Sequence, residues 1–466
     1  MKKIIYFIFT LLLVSCGNTN KKTSKESENS IEVYQLSQEE ATNLVERSYQ
    51  YIAVYNTLMS FTSNPKNPFY LNGWNNMYKA KEQMTAESKG IPGPNNDTFY
   101  EVSAVDLRAE PIIITYPAFD SKYVSLETSA LDHYCKVPLA TSKGDFKVKT
   151  TVLYYSQRTK NYTGEAIDGI DKIVELSGDF AAAFLRVTPQ VNDPEIYKKN
   201  IEAIDNLKIE TLSQFQGKKS LAVEKAHFPK FGKTSKVYVT NFLEVMQFVF
   251  NHTTFDSNDK MDREVLSAFK PLGIEPGKIY DAKTVVKLDS TLIANTVKSV
   301  EKIGSETATD YVYNKFADKG EMTLDVMVSQ SVTGPIGLPA SEALYLQIQT
   351  NDGLPLNALN DYSLKMSKEN LPPAGAFWSF TLYDGIEYLF IPNAENKYSV
   401  GENAGMQLDK DGGITIYMSE KLPEGTPKEN WLPINREDLL LNLRLRVYQP
   451  DIEKMKVWEV PTLEKN

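Results

Sequence analysis

Cysteine and histidine are scarce in this sequence, and their scarcity removes several classes of functional site. The chain has two cysteines, Cys16 and Cys135, and three histidines among 466 residues. Disulfide-stapled scaffolds and thiolate zinc sites need more cysteines than this. His133, His227 and His252 also lack the HxxxH or HExxH spacing of helical zinc sites. We therefore expect no metal ion and no cofactor, and a buried, inert thiol at Cys135.

An excess of basic charge is also missing. The sequence has 51 lysines and arginines against 60 aspartates and glutamates, for a formal net charge of -9. Such a protein has no general attraction for phosphate backbones, so we expect no nucleic-acid partner. The sequence contains neither a glycine-rich phosphate-binding motif nor the Gly-x-Ser-x-Gly elbow of serine hydrolases.

The long apolar run of the chain lies at its start and is too short to span a membrane. It covers residues 4–14 after Met1-Lys2-Lys3, whereas a membrane-spanning helix needs about 20 residues. The pattern predicts a signal peptide at 1–15 and cleavage before Cys16. A diacylglyceryl group and an acyl chain such as palmitate on Cys16 would then anchor the protein to a membrane. The alternative is ordinary secretory cleavage, with Cys16 as an incidental residue.

Residues 17–30 contain no apolar side chain, which predicts a flexible, lipidated tether over 16–31. The predicted protein is therefore a membrane-anchored lipoprotein of the bacterial cell envelope, on the periplasmic or outer-membrane face. Its folded body stands off the membrane.

The last hundred residues carry the clearest strand pattern. Side chains alternate in polarity along 377–383 and again along 441–448. In the second segment leucines and a valine share one face, and Arg444, Arg446 and Tyr448 share the other. An antiparallel sheet with one apolar face must cover that face, which predicts a β-sandwich or jelly roll.

A turn signal follows the first of these strands. Asp384-Gly385 favours a two-residue type I′ turn, and residues 386–390 alternate again. We therefore predict a β-hairpin at this position.

Helical patterns dominate two other parts of the chain. Ser37 and Glu40 form a capping-box signature at the start of a long amphipathic helix. Helical spacing recurs between 241 and 304. The sequence thus predicts an α+β protein with two β-rich domains and a helical connector. The predicted boundaries are 32–240 for an N-terminal β-rich domain with helices, 241–340 for the connector, and 341–466 for the C-terminal domain.

Two ordered sets of motifs resemble a known bacterial family. The first set is Pro94-Asn95-Asn96-Asp97-Thr98-Phe99-Tyr100, Asp106-Leu107 and Glu110-Pro111. The second comprises Gly337, Glu342-Ala343, Tyr345, 372–384, Asn393, Tyr398-Ser399, Asn430-Trp431-Leu432-Pro433 and Arg446-Val447-Tyr448-Gln449-Pro450. Together they resemble the two-domain family whose halves are domains of unknown function twelve-fifty-four, N-terminal, and twelve-fourteen, C-terminal. The resemblance implies β-rich domains joined by helices and implies no reaction. Residues 150–158 and Lys397 depart from the family pattern.

Two carboxylates are the candidate catalytic residues. Asp97 and Asp106 stand on either side of the first β-element, and paired acids about 5 to 9.5 Å apart would be a glycosidase arrangement. The alternative is structural, because Asp97 can cap a turn after Asn96 and Asp106 can cap a strand end.

A second group of residues predicts a ligand site. Its members are Asn96, Trp378, Asn430, Trp431, Arg446 and Tyr448. Arginine forks beside aromatic planes suit acidic sugars or carboxylates, although Arg446 could equally pair with a carboxylate at a domain interface.

The sequence leaves two functions open. In the first, a cell-envelope protein of unknown reaction binds or processes a small acidic or carbohydrate-like ligand between its domains, where ligand clefts commonly lie. In the second, the protein is a non-catalytic structural or protein-interaction module of the envelope. A second copy of the chain, as in a homo-oligomer, is one partner that the sequence leaves open.

Overall fold

A computed structural model describes residues 33–89, 93–283, 285–437 and 439–466. The predicted signal peptide, Cys16 and the predicted tether up to residue 31 lie outside the described residues. In the part of the chain that is described, no helix combines the length and the apolar content needed to cross a membrane.

The described chain begins with a short strand, β1 (Val33–Tyr34), and the long helix α1 (Gln38–Ser63). The predicted capping box is confirmed: the Ser37 hydroxyl accepts from the Glu40 amide, and the Glu40 carboxylate accepts from the Ser37 amide. Leu44, Tyr51 and Phe61 are among the buried residues of α1. The helix is therefore a central core element.

The N-terminal domain is built from two facing sheets. Its strands are β2 (Asn76–Tyr78), β3 (Phe99–Asp106), β4 (Ile112–Tyr116), β5 (Val124–Ala130), β6 (Cys135–Ala140), β7 (Thr150–Ser156), β8 (Lys172–Leu176), β9 (Phe180–Val187) and β10 (Lys208–Thr211). The helices α2 (Pro194–Asp205) and α3 (Leu212–Phe215) lie between and after the last strands. One sheet has the order β2-β3-β9-β5-β6 and the other β10-β4-β7-β8. Phe99, Val105, Ile112 and Val152 contribute to the shared core of the two sheets.

A helical body separates the two β-domains in the chain. It contains α4 (Thr234–Thr240), α5 (Phe242–His252), α6 (Lys260–Phe269), the short strand β11 (Lys287–Leu288), α7 (Ser290–Glu306) and α8 (Leu324–Thr333). Helix α1 packs against α4, α5, α6, α7 and α8 and shares their hydrophobic core. Strand β1 also pairs with β11, so the start of the described chain belongs to this body.

The C-terminal domain is a two-sheet sandwich. Its elements are β12 (Ala343–Ile348), β13 (Tyr362–Met366), β14 (Ala374–Asp384), β15 (Ser399–Gly401), β16 (Ile414–Ser419), β17 (Trp431–Pro433), β18 (Leu441–Pro450), α9 (Ile452–Met455) and β19 (Glu464–Lys465). The sheets have the orders β12-β18-β14-β15 and β17-β16-β13-β19. Phe380, Leu445, Leu364 and Ile416 meet in the core between the sheets. The α+β class with β-rich domains is thus confirmed.

The predicted hairpin after β14 is wrong. Strand β14 pairs with β15 and β18, and residues 386–390 form only a single bridge, Tyr383 to Phe390. The Asp384 carboxylate accepts hydrogen bonds from the amides of Ile386, Glu387 and Leu389, which closes a wider turn. These three hydrogen bonds to the Asp384 side chain stabilise the wider turn in place of the two-residue turn that Asp-Gly commonly forms.

Candidate functional site

The polar face of the C-terminal sheet is buried against the N-terminal domain. On strands β14 and β18, Ser379 lies opposite Arg446 and Phe377 lies opposite Tyr448. The Phe377 and Tyr448 rings stack with centroids 4.2 Å apart and pack with Tyr123 of the N-terminal domain. This face therefore meets a second domain instead of solvent.

The segment before β3 lies on this buried polar face. The Asn95 side chain donates a 2.8 Å hydrogen bond to the Tyr448 hydroxyl, and the Ser379 hydroxyl donates to Asp97. The Asn403 side chain donates a 2.9 Å hydrogen bond to the Asp97 carbonyl. Burial raises the pKa of the Asp97 carboxyl, against the opposing effects of Arg446 and the Ser379 hydroxyl. Asp97 thus joins the two domains.

Arg446 is held on the same face by several acceptors. One Nη donates to Thr381 Oγ1 at 2.7 Å, and the other donates to the Tyr383 hydroxyl and to the Gly93 carbonyl, the latter at 3.2 Å. Its Nε is buried and has no hydrogen-bond partner among the described residues. The guanidinium is therefore fixed in position with one donor unused.

A cavity of about 240 Å³ lies next to Arg446, where the three parts of the molecule meet. The N-terminal sheet contributes Tyr100, Phe184 and Arg186, and the C-terminal sheet contributes Tyr345, Gln347, Arg444 and Arg446. The segment between α7 and α8 and the segment after α8 complete the wall, with Val312, Lys315, Phe316, Ile336 and Leu338. We call this space the junction cavity.

Positive charge dominates the polar part of the junction cavity. Of its four basic side chains, only Arg186 has an ion pair with a described residue, a 2.7 Å contact with Glu127. Even so, Nη1 of Arg186 is buried without a partner among the residues described. Arg444 stacks over the Tyr383 and Tyr388 rings and forms no ion pair within the described chain. Its pKa is lowered by burial, and the charge of Arg446 adds to this effect.

Lys315, like Arg444, forms no ion pair with a described residue. Its Nζ donates to the Ala308 carbonyl at 3.1 Å and to the Thr333 hydroxyl at 3.3 Å, both neutral acceptors. Burial, together with the charge of Arg444, lowers the pKa of Lys315 to about 8. A buried cation near other cations is destabilised unless an anion compensates it. The cavity is therefore suited to a negatively charged group.

Apolar side chains form a large part of the remaining wall. Phe69, Met84, Phe184, Phe316 and Leu338 line the cavity. The junction cavity thus combines a cationic end with hydrophobic surface.

The predicted catalytic pair is not brought together. Asp97 precedes β3 and Asp106 is the last residue of that strand. At a rise of about 3.3 Å per residue, the strand Phe99–Asp106 is roughly 23 Å long, far more than the separation of about 5 to 9.5 Å in a glycosidase pair. Asp106 instead accepts from Nε and Nη2 of Arg108 at 2.9 and 2.7 Å.

The predicted ligand residues divide into two groups. Arg446 lines the junction cavity, and Tyr448 and Asp97 lie behind its wall. Asn96 is adjacent to Asn95, a lining residue, and its own carbonyl accepts from Gln83.

The other three residues lie within the C-terminal domain. Trp378 is 3% exposed and packs in the sandwich core, edge to face with Phe380. Asn430 binds both backbone groups of Gln407, at 2.8 and 2.7 Å. The Trp431 ring nitrogen donates to the Ser419 carbonyl at 3.1 Å. The structure brings Arg446, Tyr448 and Asp97 together and does not bring these three residues to them.

Sequence reasoning missed Arg186, Lys315 and the tyrosines of the cavity. Arg186 had a usable signal, because it interrupts the apolar strand Phe180–Val187 and a buried arginine needs a partner. Lys315 lies outside any helix or strand and carries no comparable signal. No group of three or more metal-ligating side chains that could hold an ion is present in the described ranges.

Comparisons with known proteins agree with this two-domain organisation. Residues 74–211 match the family model "Protein of unknown function (DUF1254)", and residues 342–452 match "Protein of unknown function (DUF1214)". The chain therefore carries an N-terminal domain of the first kind and a C-terminal domain of the second, which confirms the resemblance found in the motifs. No curated protein matches the chain.

One solved structure shows the same fold. The chain is similar to the VPA0106 protein from Vibrio parahaemolyticus, with a TM-score of 0.70 and 21% identity over 92% of this chain and 99% of that chain. An uncharacterized protein from Burkholderia cenocepacia matches with a TM-score of 0.43 and 13% identity, over 90% of this chain and 86% of that chain. The Vibrio structure supports the fold and carries no information on function.

Proposed function

We propose that this protein binds a small anionic molecule with an apolar body in the junction cavity, and that a lipid on Cys16 holds it in the cell envelope. The observation that supports the binding site is the charge of Lys315 and Arg444, which form no ion pair with a described residue and lie beside Arg446 in one cavity. An anion there would offset the mutual repulsion of these cations.

A carboxylate is the anion that fits the donors best. Arg444 lines the cavity and donates no hydrogen bond to a described residue, and its guanidinium nitrogens are not among the buried atoms that lack partners, so a ligand can reach them. Guanidinium groups bind carboxylates through two parallel hydrogen bonds, and such charge-assisted bonds are stronger than neutral ones. The ligand would therefore satisfy donors that the protein leaves unused.

The size of the cavity limits the apolar part of the ligand. A cavity of about 150 Å³ accommodates benzene. The junction cavity, at about 240 Å³, has room for one ring or a short chain together with the carboxylate. Its phenylalanine and leucine side chains favour an apolar body over the polar ring of a sugar. We therefore narrow the predicted acidic or carbohydrate-like ligand to an amphipathic carboxylate.

A matched pair of probes tests this site. Phenylacetate and the neutral phenylacetamide have nearly the same shape and differ in charge. We expect phenylacetate to raise the melting temperature of the purified mature protein and phenylacetamide to leave it unchanged. A ligand at 100 times its Kd stabilises the folded state by about 2.7 kcal/mol.

Two variants locate the binding. Arg444→Gln removes a cavity cation that has no ion pair within the described chain, so we expect it to abolish the shift while the protein stays folded. Arg263→Gln removes an exposed arginine of α6 and should retain the full shift. Equal shifts with the acid and the amide, or full binding by Arg444→Gln, would contradict the proposal. Failure of a wider set of apolar carboxylates would favour the structural or protein-interaction module.

The membrane anchor has its own test. Mass spectrometry of the mature N-terminus should find Cys16 as the first residue, carrying the mass of the diacylglyceryl and acyl groups. An unmodified terminus at another residue would refute the anchor and leave the junction cavity unaffected.

A further inference from the structure

A second cleft lies on another side of the N-terminal domain and shares no lining residue with the junction cavity. Its volume is about 230 Å³, and its wall includes Arg108, Arg158, Lys160, Asp179 and His252. These residues come from separate places: the segment after β3, the segment after β7, the turn between β8 and β9, and the end of α5. We call it the lateral cleft.

Asp179 holds two of the basic groups. Its Oδ2 lies 2.8 Å from Nδ1 of His252 and 3.2 Å from Nε of Arg158. The carboxylate is 3% exposed, whereas the Arg158 side chain is 45% exposed. Because a carboxylate accepts, Nδ1 of His252 carries a proton, and Nε2 forms no hydrogen bond with a described residue. Phe180 and Phe248 pack against the imidazole and fix its orientation.

Asp106 binds the guanidinium of Arg108 in the same way. Its two oxygens accept from Nε and Nη2 of Arg108, and the Glu224 carbonyl accepts a further 2.9 Å bond from Nη2. The guanidinium also lies over the Phe180 ring, with its carbon 5.0 Å from the ring centroid. Arg108 is therefore anchored by one edge.

The three anchored groups keep polar atoms free on their other sides. Both Nη atoms of Arg158 and Nη1 of Arg108 are N–H donors that form no hydrogen bond with any residue in the described ranges, and Nε2 of His252 has no partner there either. None of these atoms is among the buried atoms that lack partners, so solvent reaches them. Anchored groups with free donors at one cleft form a preorganised site for an oxyanion.

We propose that the lateral cleft binds a phosphoryl group, as inorganic phosphate or as the phosphate of a small molecule. The free nitrogens of two guanidinium groups offer more N–H donors than the two oxygens of a carboxylate can accept. A tetrahedral anion with three or more oxygens uses them better.

His252 adds to the charge that the cleft can offer an anion. Arg108, Arg158 and Lys160 face Asp106, Asp179 and Glu224, so the fixed charges of the cleft balance without the histidine. A proton on Nε2 of His252 would add an N–H donor and a positive charge for the bound anion.

Calorimetric titration of the mature protein with inorganic phosphate and with sulfate tests the proposal. We expect both anions to bind. Arg158→Gln should weaken phosphate binding about tenfold or more, as expected when a charge-assisted contact worth about 1.4 kcal/mol is lost.

Histidine variants provide the sharper control. His252→Gln should weaken the binding of both anions. His227→Gln changes a histidine whose side chain is 90% exposed beside Glu244, and should leave that binding unchanged. Equal melting temperatures of the variants and the wild type ensure that lost binding does not reflect unfolding. If His252→Gln is unstable, Arg158→Gln alone tests the cleft. Absence of binding at millimolar anion, or wild-type affinity in both cleft variants, would overturn the proposal.

Discussion

The two faces of the sheet formed by β14 and β18 are both buried, yet they differ in what buries them. The apolar face, with Trp378, Phe380 and Leu445, packs against the second sheet of its own domain. The polar face, with Ser379 and Arg446, packs against another domain and borders the junction cavity. Burial of the first face stabilises the domain, whereas burial of the second creates a site with unsatisfied donors. The difference shows that alternation in a sequence identifies two faces but not the environment of each.

The largest expected effect is on the apolar face. Trp378→Ala leaves a cavity in the sandwich core and should lower the free energy of unfolding by about 3 to 5 kcal/mol. Denaturant unfolding measures this loss. The half-buried Trp458 is the matched control, and Trp458→Ala should cost less. A loss under about 1 kcal/mol for Trp378→Ala would show that the Trp378 side chain is not buried in the core.

An intermediate effect is expected for Arg446→Lys on the polar face. A lysine cannot reach Thr381 and the Gly93 carbonyl at once, so we expect a loss of about 1 to 3 kcal/mol. The control is Arg436→Lys, which keeps a point charge near Asp361 on a more exposed surface and should change stability little. Unchanged melting with weaker phenylacetate binding would instead mean that Arg446 serves the ligand and not the domain contact.

The smallest effect, and one of opposite sign, is expected for Lys315→Met. The folded-state pKa of Lys315 is about 8, below its unfolded value, so between about pH 8 and 10.5 the unfolded chain binds more protons. Stability of the wild type therefore gains a contribution as the pH rises through this window. Lys315→Met removes the buried charge and should be more stable at neutral pH by about 1 kcal/mol.

The difference between wild type and Lys315→Met should shrink as the pH rises toward 10, which melting curves across this range would measure. A difference that does not depend on pH would show that Lys315 has an ordinary pKa. It would also weaken the argument for uncompensated charge in the junction cavity.

Local sequence patterns predicted the helices and strands better than they predicted what those elements contact. Alternation identified β14 and β18, and the capping box identified the start of α1, because these signals depend only on neighbours in the chain. The turn after Asp384 was mispredicted because its carboxylate binds amides up to five residues away.

The junction cavity shows the limit of this approach. Arg444 and Arg446 were found on a polar face, but Arg186 is about 260 residues away in the chain and Lys315 about 130. Their proximity results from the packing of three bodies, which no spacing in the sequence encodes. Likewise, Asp97 and Asp106 are close in sequence, but the extended strand between them keeps them apart.

The position of α1 has a consequence for how the chain folds. The helix ends at Ser63, but its partner helices begin at Thr234, and the last of them, α8, begins at Leu324, about 260 residues after Ser63. At a synthesis rate of about 5–20 residues per second, α1 waits roughly 13–52 s before its last partner is made. During this time the whole N-terminal domain can form, while α1 exposes a broad apolar surface. We therefore expect assembly of the helical body to be a late, slow step of high contact order, and α1 to be the segment most in need of protection from aggregation until then.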